Sequence, residues 1–126
     1  MNILIRLLVA ENPSTTAKIL EHLASEDTNH LIQRAIALHS NANKKTLTLI
    51  SSSDSFKVLD LIIRHPNADV HVLWKVIDAL HVEYLDQLAE DPNTPPMMLH
   101  SMAWKAYNRW TLKVASNPST PMFTLS

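Results

Sequence analysis

An internal repeat constrains this chain more than any other feature of its sequence. Three copies of a short motif begin with Asn or Asp, continue with Pro, and have Thr three residues after the start. They are Asn12-Pro13-Ser14-Thr15, Asp91-Pro92-Asn93-Thr94 and Asn117-Pro118-Ser119-Thr120. Two degenerate copies are placed at Asn41 and His65, so successive starts are separated by 29, 24, 26 and 26 residues. Such a period is typical of stacked repeat units.

Two columns of the alignment test the repeat at positions that were not used to find it. The residue eight places after each start is always leucine, and the residue three places before is always aliphatic. The leucines are Leu20, Leu49, Leu73, Leu99 and Leu125, and the aliphatic residues are Val9, Leu38, Ile62, Leu88 and Val114. This agreement predicts that both columns belong to the packed interior of the units.

Each unit is predicted to hold two short helices. Thr15, Thr94 and Thr120 stand where an N-cap is expected, and Pro95 and Pro121 follow at the first helical position. A second helix is predicted from apolar residues nine, six, three and two places before the next start, which share one helical face. The polar run 25–29 is predicted to be an enlarged loop in the first unit.

Neither helix can bury its apolar face alone, so the units are expected to stack. The sequence therefore predicts an all-α solenoid of one domain over residues 1–126, with units of about 24–29 residues. Its first unit, near 12, and its last, near 117, are expected to be incomplete.

The motif resembles that of the leucine-rich repeat variant family, whose unit reads approximately N-P-x-T-P-x-x-x-L followed by a second short aliphatic segment. The matching residues are Asn12 to Leu20, Asp91 to Leu99 and Asn117 to Leu125. The resemblance implies a right-handed superhelix in which an α-helix pairs with a second helix that is often 3₁₀. It implies no general activity. Ala42 in place of Pro, and His65 in place of Asn, depart from the pattern.

Composition argues against most enzyme classes. The chain has no glycine and no cysteine, which excludes phosphate-binding glycine loops, nucleophile elbows and thiolate chemistry. The seven histidines form no i, i+4 pair and no metalloprotease motif. The prediction is a non-enzymatic protein with no catalytic residue, cofactor or metal ligand. Neither a signal peptide nor a membrane span is indicated, so a cytoplasmic location is expected.

Aromatic residues give the first candidate binding positions. Trp110 shares its repeat position with Ile5, Val58 and Tyr84, which predicts core packing. Trp74 and Trp104 occupy positions that are mostly polar in other units. Each is therefore interpreted either as a cap on the last units or as an exposed anchor for a partner, because tryptophan is enriched at interface hot spots.

The C-terminal region adds a basic and aromatic segment. No acidic residue follows Met97, and Lys105, Arg109 and Lys113 alternate with Trp104, Tyr107 and Trp110. A solvated helix explains this pattern, and so does stacking on single-stranded nucleic acid. The main hypothesis is a scaffold for protein–protein interaction, with an unknown protein partner. The alternative is nucleic-acid binding through the C-terminal unit.

The last unit also suggests self-association. It starts a helix after Thr120, reaches Leu125 and ends at Ser126 before a second helix can form. Met122 and Phe123 are therefore predicted to dock on a second copy in a two-fold homodimer. The competing explanation is that the C-terminal aromatic residues fold over the end of the stack as a cap.

Overall fold

The computed structural model describes residues 2–26, 29–105 and 110–125, and the regular elements in this part of the chain are all helices. Their bounds are α1 (Ile3–Glu11), α2 (Ala17–Glu26), α3 (His30–Leu38), α4 (Lys44–Ile50), α5 (Phe56–Ile63), α6 (Val70–Ala79), α7 (Val82–Glu90), α8 (Pro96–Lys105), α9 (Thr111–Ser116) and α10 (Met122–Leu125). The predicted all-α class is confirmed for the described residues. The second helices are α-helical in them, and the 3₁₀ form that the resemblance implied is not found there.

Helices two apart along the chain pack against each other. In one set α1 contacts α3, α3 contacts α5 and α7 contacts α9; in the other α2 contacts α4, α4 contacts α6 and α6 contacts α8. Consecutive helices also touch, as α3 does with α4 and α5 with α6. The core therefore forms between neighbours in sequence, which is how an amphipathic helix too short to be stable alone becomes stable.

Four leucines at one repeat position form the centre of the core. Leu20, Leu47, Leu73 and Leu99 are each at most 1% exposed, one on each of α2, α4, α6 and α8. Three of them are the predicted leucines. The second is Leu47 in place of the predicted Leu49, which is 40% exposed.

The second unit therefore begins at His39, two residues before the predicted Asn41. The same shift replaces Leu38, which is 65% exposed, by Ile36, which is fully buried. With starts at 12, 39, 65, 91 and 117 the separations become 27, 26, 26 and 26 residues. The departure from the family motif at the Pro position is then Ser40 rather than Ala42.

Hydrogen bonds within the turns give the physical reason for this register. In each turn the side chain of the first residue accepts a hydrogen bond from the backbone N–H two residues later. Asn12 Oδ1 accepts from Ser14 at 2.9 Å, and His39 Nδ1 accepts from Asn41 at 3.0 Å. The same bond recurs at His65, Asp91 and Asn117. An imidazole nitrogen thus takes the acceptor role that Asn and Asp oxygens have elsewhere.

Successive turns are also bonded to one another. Because Nδ1 of His39 and His65 accepts an N–H bond, Nε2 carries the proton and donates. His39 donates to the carbonyl oxygen of Asn12, and His65 to that of His39, both at 2.8 Å. Asn117 Nδ2 donates likewise to the carbonyl of Asp91 at 2.9 Å. Both histidines are buried, because they join two turns.

The predicted helix caps are wrong by one residue. The hydroxyls of Thr15, Thr94 and Thr120 donate to carbonyls at the end of the preceding helix, those of Val9, Leu88 and Val114. The caps follow one place later, where Thr16, Asn43 and Asp69 accept bonds from the first turns of α2, α4 and α6. Pro95 and Pro121 accordingly precede α8 and α10 instead of opening them.

The predicted loop at 25–29 is shorter than expected. Ser25 and Glu26 are the last residues of α2, and Asn29 caps α3 by accepting from the N–H of Leu31 at 2.9 Å. Residues 27 and 28 lie outside the described part of the chain. Most of the apparent extra length of the first unit came from the misplaced second start.

Candidate functional site

The two tryptophans at polar repeat positions have different environments. Trp74 on α6 is half-buried, packs against the core and meets the ring of His71 edge-on at 5.6 Å between centroids. Trp104 on α8 is 64% exposed, with the His100 ring 6.2 Å away. Trp74 therefore packs against the core of the fold, whereas Trp104 is exposed to solvent.

The remaining predicted contact residues lie near the C-terminal end. Met122 is 87% exposed at the start of α10. Tyr107, Arg109 and the side chain of Phe123 lie outside the described part of the structure.

The predicted core position of Trp110 is confirmed. Its side chain is buried, and its indole N–H donates to Asp86 at 2.6 Å. One unit earlier the phenol of Tyr84 makes the equivalent bond to Asp60 at 2.7 Å. Burial and this hydrogen bond raise the pKa of the Tyr84 phenol well above its ordinary value.

A different surface carries the most exposed apolar side chains of the N-terminal half. It is formed by the outward sides of α1, α3, α5 and α7 and is called here the outer face. Its positions lie eight, five and one places before each turn, a spacing that puts them on one side of a helix. On α3 these positions hold Leu31, Arg34 and Leu38, and both leucines are exposed.

The chemistry of the outer face changes along the molecule. On α1 the three positions hold Leu4, Leu7 and Glu11, and the exposed Leu8 lies beside them, one helical turn after Leu4. On α5 the three positions hold Lys57, Asp60 and Arg64, and on α7 they hold Glu83, Asp86 and Glu90. The face therefore passes from mainly apolar on α1 and α3, through mixed charge on α5, to acidic on α7.

A shallow groove of about 230 Å³ opens on this face between α3 and α5. Its lining consists of Arg34, Phe56, Lys57, Asp60 and Leu61. The Arg34 Nε atom is buried and has no hydrogen-bond partner among the described residues. Asp60, the acid of the groove, already accepts from Tyr84 and lies 3.4 Å from Arg64 Nε. The groove thus presents a partly exposed arginine, whose Nε has no hydrogen-bond partner among the described residues, beside exposed apolar side chains.

Sequence reasoning missed the groove because of the register error in the second unit. With the start at Asn41, Leu38 fell in a core column and Arg34 took the place of Ile32 in the column of Val58 and Tyr84. The groove could have been found from the three residues that lie eight, five and one places before His39, which are Leu31, Arg34 and Leu38.

A second, larger pocket of about 600 Å³ lies near the end of α2 and the turn between α4 and α5. His30 Nε2 and Asp54 Oδ1 lie 2.6 Å apart at its rim, and both side chains are largely exposed. Ser53 donates to Gln33 at 2.8 Å, so its hydroxyl proton is not directed at His30. His30 and Asp54 thus form a surface hydrogen bond, and Ser53 and Gln33 form a buried one.

No cluster of three metal-ligating side chains occurs among the described residues. Within the same residues, no helix is both long and apolar enough to cross a lipid bilayer. Comparison with protein-family models, with curated proteins and with solved structures finds no match for this chain.

Proposed function

We propose that the chain is a right-handed helical-repeat solenoid that acts in the cytoplasm as a non-enzymatic scaffold for protein–protein interaction. The packing of helices two apart supports the repeat architecture. So do the turn-to-turn hydrogen bonds that recur about 26 residues apart, and so does the resemblance to leucine-rich repeat variant proteins. In such a stack every unit adds to one continuous surface that a partner can cover.

The observation that carries the proposed function is the exposure of leucines on the outer face. Leu4 and Leu31 occupy the same repeat position on two helices that touch, α1 and α3. Leu8 and Leu38 are exposed on the same two helices. Single exposed leucines are normal on protein surfaces, but a group of them on adjacent elements is typical of an interaction site.

Nucleic-acid binding remains the second candidate. It is supported by the exposed Trp104 ring, on which a base could stack, and by the absence of acids after Met97. The cationic charge is small, and Lys113 lies 3.1 Å from Glu90, which neutralises part of it. The outer face therefore offers the better-defined surface.

Affinity capture with two matched variants tests the proposal. Leu38→Asp places a charge on the outer face, and Leu49→Asp places the same charge on α4, where the leucine is also exposed. We expect the wild type and Leu49→Asp to capture the same proteins from the native host, and Leu38→Asp to lose them. Capture of nucleic acid instead of protein, with retention that collapses between low and moderate salt, would favour the alternative.

A further inference from the structure

The groove between α3 and α5 is unusual because one buried nitrogen atom of its arginine lacks a hydrogen-bond partner among the described residues. A buried polar atom without a hydrogen-bond partner is costly. Arg34 Nε is such an atom. The acid that lines the groove, Asp60, is engaged by Tyr84 and Arg64. A carboxylate supplied from outside would bond to the terminal nitrogens of the guanidinium, which, unlike Nε, are not buried, and would neutralise its charge.

The surroundings of Arg34 indicate what should carry that carboxylate. Leu31 and Leu38 flank Arg34 on α3 and are exposed, and Phe56 is exposed across the groove on α5. Leu31 and Leu38 are seven residues apart, so they are separated by about 10 Å along the helix axis. A helical ligand repeats its own apolar residues at that same spacing. Lys57 adds a second exposed cation at the edge.

We infer that this groove binds an acidic amphipathic helix of a partner protein, with one carboxylate of the helix on Arg34 and its apolar residues on Leu31, Leu38 and Phe56. The inference rests on the proposed function and adds the chemistry of the partner. The acidic outer face of α7, with Glu83 and Glu90, is a poorer occupant, because the one large apolar side chain exposed on that helix is Val82. A second copy of the chain is therefore an outcome to be tested and not the proposal.

Fluorescence polarisation with two designed helical peptides tests the inference. Both carry leucines on one face; one carries glutamates on the other face, and the other carries lysines there. We expect the glutamate peptide to bind and the lysine peptide to bind at least about tenfold more weakly, since like charges across an interface repel. Equal binding of both peptides would overturn the inference.

Variants of the groove separate binding from folding. Arg34→Met removes the charge while keeping a long apolar side chain, and Lys57→Glu reverses the second charge. Each should weaken the glutamate peptide by about tenfold or more. Lys75→Glu reverses an exposed charge on α6 and Leu49→Asp alters an exposed leucine on α4; both should leave affinity unchanged. Unchanged affinity of Arg34→Met would contradict the assignment.

Thermal unfolding of Arg34→Met distinguishes a binding role of Arg34 from a role in stabilising the fold. Because Arg34 Nε bonds to no described residue, its removal should leave the melting temperature unchanged or higher. A lower melting temperature would show that Arg34 serves the fold and would overturn the inference. If light scattering finds that the wild type is an oligomer and that Lys57→Glu dissociates it, the occupant of the groove is a second copy of the chain. That result would also overturn the inference.

The two proposals can fail separately. If proteins are captured from the host but neither peptide binds, the acidic-helix inference fails and the scaffold stands. If no protein is captured and neither peptide binds, both fail.

Discussion

The turn histidine His65 allows the sharpest prediction about what stabilises this molecule. His65 is 8% exposed and uses both ring nitrogens: Nδ1 accepts from the N–H of Asn67 at 3.0 Å, and Nε2 donates to the carbonyl of His39 at 2.8 Å. His65→Ala removes both bonds. At about 1 kcal/mol for each bond, plus the loss of buried ring contacts, the free energy of unfolding should fall by about 2–3 kcal/mol.

The expected loss of stability is no larger because the two backbone groups that bond to the His65 ring have other hydrogen-bond partners in the variant. The His39 carbonyl keeps the N–H of Ala42 at 3.1 Å, and Asn67 is exposed to water. His65→Asn should cost less than about 1 kcal/mol, because Asn117 already makes both bonds at the equivalent position of another turn, at 3.0 and 2.9 Å.

Urea denaturation followed by circular dichroism measures these differences. His71→Ala is the matched control, since His71 is exposed on α6 and should change stability by less than about 0.5 kcal/mol. A cost for His65→Ala no larger than that of His71→Ala would refute the account of the turns. So would a cost for His65→Asn equal to that of His65→Ala.

Packing, titration and assembly give three further expected outcomes. Leu73→Ala should cost about 2–5 kcal/mol in chemical denaturation, and Leu49→Ala much less; equal costs would contradict the register that starts at His39. Folded Tyr84 holds its proton where an unfolded tyrosine, with a pKa of about 10, loses it; stability should therefore fall as pH rises above about 10, and urea midpoints of Tyr84→Phe should fall less. The homodimer predicted from the C-terminal unit should dissociate in Phe123→Asp; light scattering that finds monomers for both proteins would leave the aromatic cap as the explanation.

The helical class and four of the turns, those that start at 12, 65, 91 and 117, could be predicted because their signals are local. Asn or Asp before Pro specifies a turn without reference to distant residues. The leucine eight places later marks the buried side of the following helix, as Leu20, Leu73 and Leu99 show. No long-range pairing had to be guessed.

The second turn could not be predicted by the same rule because both residues of the signature are replaced there, Asn by His39 and Pro by Ser40. His39 accepts the turn bond through a ring nitrogen, so the Asn-Pro signature is absent there. The nearby Asn41 carries the expected residue type but instead donates to the carbonyl of Thr15 at 3.0 Å. Which side chain accepts from the backbone and which donates across turns depends on contacts that a linear pattern does not record.

The predicted helix N-caps were wrong for a related reason. A threonine before a proline satisfies the sequence rule for an N-cap, yet the Thr94 hydroxyl donates to the carbonyl of Leu88 at 2.7 Å. The groove was not predicted because the start of the second unit was placed two residues too late, which assigned the exposed Leu38 to the core. Its identification needed the burial of individual side chains.

Cysteine accessibility gives the most direct test of the central claim, that the outer face beside Arg34 is a binding surface. The natural chain has no cysteine, so Leu38→Cys, Ile36→Cys and Leu49→Cys each place a single thiol on an otherwise unreactive protein. The account predicts fast maleimide labelling at positions 38 and 49 and slow labelling at the buried position 36. A saturating glutamate peptide should then protect Leu38→Cys and leave Leu49→Cys unprotected. Equal labelling of both positions in the presence of the peptide would contradict the claim.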